Sequence, residues 1–216
     1  MKRSIGSLLF IGLCGVMTGA QSALVYQSDG RYIHHTMAGG AITPAPAYAD
    51  FNADWWAWEA GAFQTSQLTA TGMSGNGSTY AGFDAMSYGA EATSVFSVTF
   101  GVDRPTDFTL TGSLDTGWWG GGDLYVSLSE NGTELFRYDL WTDVTDYGVN
   151  PFAFGGQFAT GNVYELVLLS YSWDSDYYYE TWDFELTTTA VPLPAAVWLL
   201  GSGCLGLLGV ARRRRS

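Results

Sequence analysis

Between residues 93 and 114 the chain alternates apolar and polar side chains, and this constrains its fold more than any other feature. Phe96, Val98, Phe100 and Val102 alternate with Ser97, Thr99 and Gly101. After Asp103-Arg104-Pro105-Thr106 the pattern resumes, with Phe108, Leu110 and Leu114 divided by Thr109, Thr111 and Ser113. Successive side chains of a strand point to opposite faces, so each run is a strand with one buried face. The short connection predicts that the two pair with each other.

Other segments repeat the theme. Residues 124–129 and 133–140 flank Glu130-Asn131-Gly132. A two-residue Asn-Gly loop sets Val126 opposite Arg137 and Leu124 opposite Asp139. A three-residue loop with Gly132 left-handed instead sets Val126 opposite Phe136 and Leu124 opposite Tyr138, one apolar face, and is the register expected. It places Tyr125 across from Arg137 as a cation–π pair. Residues 152–158, 163–173 and 180–187 are further strands. The middle one is apolar on both faces, which predicts a central position. Upstream, residues 24–36 read as a hairpin around Ser28-Asp29-Gly30, and residues 48–63 are compatible with a short helix. No fixed-period repeat is visible, which disfavours a solenoid or propeller. Many short strands with Gly-rich turns predict an antiparallel β-sandwich, jelly-roll-like, over residues 23–187.

The ends carry different signals. Lys2 and Arg3 precede an apolar run too short for a permanent span, then Ala20-Gln21-Ser22. This order reads as a signal peptide over residues 1–22. Leu13 precedes Cys14, which does not fit a lipoprotein site. At the other end, Val191-Pro192-Leu193-Pro194 leads into an uncharged stretch, 195–211, stopped by Arg212, Arg213, Arg214 and Arg215. The uncharged run from Val191 to Ala211 is long enough to cross a bilayer as one transmembrane helix, and the arginines place residues 212–216 in the cytoplasm. The threonines at 187–189 are expected to link the domain to a tail spanning 188–216.

This three-part tail, with Val-Pro-Leu-Pro-Ala-Ala at 191–196, a Gly/Leu-rich span and a terminal Arg cluster, resembles a PEP-CTERM sorting signal of the VPLPA type. The resemblance covers the last twenty-six residues or so, with Leu193 where the name-giving motif has Glu. It implies recognition by an exosortase, a membrane protease-transferase of Gram-negative bacteria that make extracellular polysaccharide. It also implies an inner-membrane-anchored precursor with a periplasmic domain, bound for the cell surface or matrix.

All 21 acidic residues lie between Asp29 and Glu185, whereas only Arg31, Arg104 and Arg137 of the nine basic residues do. The exported part therefore carries 3 − 21 = −18, which excludes nucleic acid as a partner and suits cations or neutral sugars. Cys14 and Cys204 both fall in the terminal segments, so the domain has neither disulfide nor thiol chemistry. His34 and His35 are adjacent and face opposite ways on a strand, a poor metal pair. No nucleophile elbow, zinc helix or phosphate loop is present. Calcium is the only cofactor suggested. Asp174, Asp176 and Glu180 are its candidate ligands, and Asp115 with Asp123 a second pair. Trp55, Trp56, Trp58, Trp118, Trp119 and Trp141 lie in or near loops, as candidate platforms for stacking on sugar rings. The expected function is a non-catalytic cell-surface or matrix protein, not an enzyme. The alternative is a carbohydrate-binding module for extracellular polysaccharide.

Overall fold

The computed structural model describes residues 23–36, 40–57, 60–82, 90–117, 122–140, 148–173 and 178–191. These form strands β1 (Leu24–Asp29), β2 (Tyr32–His35), β3 (Ala41–Pro44), β4 (Phe51–Trp56), β5 (Ala60–Thr69), β6 (Gly72–Ala81) and β7 (Glu91–Val102). There follow β8 (Thr106–Thr116), β9 (Asp123–Glu130), β10 (Thr133–Asp139), β11 (Gly148–Phe158), β12 (Tyr164–Trp173) and β13 (Tyr178–Ala190). They make two antiparallel sheets packed as a β-sandwich. Sheet A has the order β10-β9-β12-β7-β2-β3, with β1 also on β7, and sheet B has the order β11-β8-β13-β6-β5-β4.

The expected pairing of residues 93–102 with 108–114 does not occur. β7 belongs to sheet A and β8 to sheet B, so the connection at 103–105 crosses between the sheets. Alternation says which face of a strand is buried but not which strand lies beside it. β12 is central, between β7 and β9, as its two apolar faces predict. The hairpin expected over residues 24–36 is also replaced: β1 and β2 each pair with β7, because Gly30 and Arg31 carry the chain along that strand instead of back on itself. Residues 48–63 contain β4 and the start of β5, with no helix among those described. Their apolar side chains follow the sheet period, and tertiary pairing overrides the weak helical pattern.

The β9–β10 turn corrects the predicted register. Asn131 and Gly132 both have positive φ, 50° and 78°, and Thr133 pairs with Glu130, so the loop has two residues. Positive φ at both loop positions matches the twist of the flanking strands. The clash of polar and apolar faces that this loop brings is relieved by a bulge between Glu134 and Phe136, after which Phe136 opposes Leu128 and Tyr138 opposes Val126. The cation–π pair forms diagonally, with the Arg137 guanidinium carbon 4.1 Å from the Tyr125 ring centroid.

Two apolar clusters fill the gap between sheets. The larger runs through Phe96, Phe100, Phe158, Tyr164, Leu166, Leu168, Trp182, Phe184 and Leu186. The smaller contains Ile33, Phe51, Ala60, Ala62, Ala90 and Ala92. Beside the smaller cluster, Arg31 is buried against Asp29 at 2.7 Å and also donates to Ser66 Oγ and Ala49 O. The threonines expected as a linker belong to β13, just before its last residue, Ala190. Thr188 is buried and its hydroxyl donates to Thr71 O.

Candidate functional site

Strand register on sheet B lines up polar side chains in rows across its outer face. One row reads Asn52, Thr65, Asn76, Asp183 and Ser113 across β4, β5, β6, β13 and β8. The next reads Gln67, Ser74, Glu185 and Thr111. These rows, apart from Ser113 at the end of the first, line with Asp50 an open groove of about 780 Å³, within the range of small-molecule sites. Thr65 donates to Asn76 Oδ1 at 3.0 Å, and Ser113 donates to Asp183. Between the rows the backbone comes close: a Cβ on Gly112 would lie 2.1 Å from Asp183 O and 2.6 Å from the Phe152 ring. The two aromatic residues in the lining, Phe51 and Phe184, are each only 4% exposed, so their rings offer little surface for stacking.

Toward the other end of the same face, Asp54, Phe63, Ser78, Thr181 and Asp115 form a third row. Beyond it stand Trp56, Tyr80 and Tyr179, aligned through Gly61. Trp56 and Tyr179 are 50% and 45% exposed. The Trp56 ring lies over Gly61, where a Cβ would come within 2.1 Å of it. A side chain there would displace the ring.

A second polar constellation lies between the sheets. Glu180 is fully buried, with Ser170 Oγ donating to its Oε2 at 3.3 Å. Thr79 is hydrogen-bonded to Ser170 and, at 2.7 Å, to Ser172. Glu180 Oε1 and Trp182 Nε1 are buried with no hydrogen-bond partner among the described residues. Burial pushes the Glu180 carboxyl up to about 8, against the opposing hydrogen bond from Ser170. Gly122 lets the backbone reach this carboxyl, since a Cβ there would sit 2.2 Å from Oε1.

The residues singled out from the sequence are distributed as follows. Trp55 and Trp56 are neighbours on β4 and point to opposite faces. Trp55 stacks on His35 at 3.4 Å and 2°, packed on the smaller core cluster. Trp56 is on the outer face. Trp58, Trp118, Trp119 and Trp141 lie outside the described residues, as do Asp174, Asp176 and the tail from Pro192 through Leu193 and Pro194 to Arg215. Glu180 faces the interior. Asp115 is in the third outer row. The groove residues carry no sequence motif; only the register of five strands brings them together.

The architecture defines an all-β sandwich with a polar groove on one outer face. The chain matches no protein-family model and no curated protein. Among solved structures it is similar to the Stig cyclase Fisc from Fischerella sp. TAU, with TM-score 0.30 and 13% identity over 60% of this chain and 77% of that one. A Fischerella sp. TAU cyclase in complex with 4-(1H-indol-3-yl)butan-2-one gives TM-score 0.33 and 14% identity over 74% and 91%. The apo form of a Fischerella sp. cyclase gives 0.28 and 11% over 74% and 97%. Similarity at this level assigns no family, reaction or substrate to the chain.

It does correct one expectation. The reading of a non-catalytic surface or matrix protein, with a carbohydrate-binding module as alternative, excluded enzymes because no catalytic motif was found. The three solved structures named above are cyclases; that reading is therefore not carried forward, and likeness at this level gives the chain no catalytic role in its place. Motifs report chemistry carried by neighbouring residues, whereas a site built across strands leaves no contiguous trace.

Proposed function

We propose that this is an exported, tail-sorted protein whose working surface is the groove on the outer face of sheet B. The single observation behind that surface is the pair of polar rows, Asn52-Thr65-Asn76-Asp183-Ser113 and Gln67-Ser74-Glu185-Thr111, facing outward around an open groove. Hydrogen-bonding groups from five strands converge there on a rigid sheet, which favours recognition of a polar ligand.

The strand order supports a jelly-roll topology. β6 to β13 alternate as β6-β13-β8-β11 in one sheet and β7-β12-β9-β10 in the other. Residues 1–22 serve as a signal peptide, and 195–211 as a transmembrane helix that holds the precursor in the inner membrane. The tail beginning at Val191 is the substrate of an exosortase-type enzyme. β13 ends at Ala190, and Val191 N donates to Pro105 O, so the motif begins where the sheet ends.

The test is a thermal-shift screen of the purified protein against neutral oligosaccharides, organic amines and divalent metals, beside an Asn76→Trp variant that fills the groove. At least one ligand class raises the wild-type midpoint and leaves the variant unmoved. Equal responses of the two proteins to every ligand would remove the groove as the working surface.

A further inference from the structure

We propose that the ligand of sheet B is a linear organic polyamine, held by the carboxylates of the groove and by the Trp56–Tyr80–Tyr179 row; this rests on the groove being the working surface. Asp50, Asp183 and Glu185 line the groove, and no basic side chain among the described residues does. Asp54 and Asp115 stand in the row between the groove and the aromatic rings. All three arginines of the domain are already ion-paired, Arg31 to Asp29, Arg104 to Asp103 and Arg137 to Asp139. None of these pairs involves a carboxylate of this face. The domain's charge of −18 adds a long-range field that concentrates cations near it.

The shape of the charge pattern selects among cations. Asp183 and Glu185 are two residues apart on one face of β13, about 7 Å along the strand. Asn52 and Trp56 are four residues apart on β4, which puts the aromatic row about 13 Å from the nearer polar row. A compact metal ion meets only one carboxylate at such spacings. A chain of ammonium groups separated by three or four methylenes meets several in turn, and its methylenes lie along the sheet. Trp56 and Tyr179 then receive one end, because the face of an exposed ring attracts an ammonium group. Amide and hydroxyl oxygens of Asn52, Thr65 and Asn76 accept the remaining N–H donors.

Spermidine titrated calorimetrically into the full-length protein at low salt tests this. Saturable binding is expected, weakened at least tenfold by Asp183→Asn combined with Glu185→Gln, and several-fold by Trp56→Ala. Glu165→Gln, on sheet A, is the control for diffuse attraction and leaves the affinity unchanged. Wild-type affinity in the double variant, or equal weakening by Glu165→Gln, overturns the polyamine assignment. Maltohexaose separates the two readings. If it binds, is lost in Asn76→Trp, and spermidine does not bind, the groove stands and the polyamine falls; if neither probe binds, the polyamine falls and the thermal-shift screen alone decides the groove.

Discussion

Ser170 on β12 donates a hydrogen bond to Glu180 on β13 at 3.3 Å, joining the two sheets through a fully buried acid. Charging this group in the interior is costly, which is why burial raises its pKa to about 8 from the usual 4.5. The native state thus holds a proton that the unfolded chain has released. Stability from the neutral acid is complete below about pH 4.5 and is lost as pH rises through about 8. The expected slope is roughly 1.4 kcal/mol per pH unit within that window. Urea unfolding at several values from pH 5 to pH 8 measures it. Glu180→Gln flattens the slope; an unchanged slope in that variant would rule out Glu180 as its source.

A different buried charge acts in the opposite direction. Burial raises the pKa of Asp29, but the hydrogen bonds from Arg31 and from the Tyr48 N–H, with the Arg31 charge, outweigh it and hold the carboxyl below its usual range. Its stabilising effect is present above the ordinary aspartate pKa and is lost as pH falls below it. Arg31→Ala leaves the Asp29 carboxylate buried without its partner and is expected to cost about 3–5 kcal/mol. The double variant with Asp29→Ala recovers part of that loss. Equal destabilisation by Arg31→Ala with or without Asp29 would show that packing, not charge, is responsible.

The β9–β10 turn offers a local test of backbone strain. Gly132 has φ of 78°, and a Cβ placed there meets nothing within 4 Å. Gly132→Ala therefore costs conformational energy alone, about 1–2 kcal/mol. Gly132→Asn costs less, because Asn tolerates the left-handed region. Denaturant midpoints of the two variants give the comparison, and equal midpoints would contradict the turn geometry.

Tail sorting is tested separately from the domain. Replacing Pro192 and Pro194 by Ala leaves the span and the arginines intact while altering the motif. A larger, membrane-held form is expected to accumulate, seen by fractionation and by mass measurement of the C-terminus. Release and mass equal to wild type would argue against motif-dependent processing.

Much of the sandwich was legible because burial on one face imposes period two. The strands at residues 93–102, 108–114 and 163–173 follow from Phe96, Leu110 and Leu168 and their alternating neighbours, and the central place of β12 follows from its second apolar face. The polar groove was not legible. Asn52, Asn76, Asp183 and Thr111 are ordinary outward-facing residues in sequence, and their meeting depends on the register of separate strands. Glu180 reads as a candidate cation ligand at the start of a strand because it stands near Asp174 and Asp176. Only its place in the inward row of β13 makes it an interior acid.

The sequence alone determined an all-β domain, one buried face per strand and a strongly acidic balance, because these depend on residue type and near-neighbour spacing. Tertiary structure decided which strands are neighbours, where the chain crosses between sheets, and which carboxylates share a surface. Those outcomes rest on hydrogen bonds between segments far apart in the chain, whose pairing energies differ too little along any one strand to be read from its own side chains.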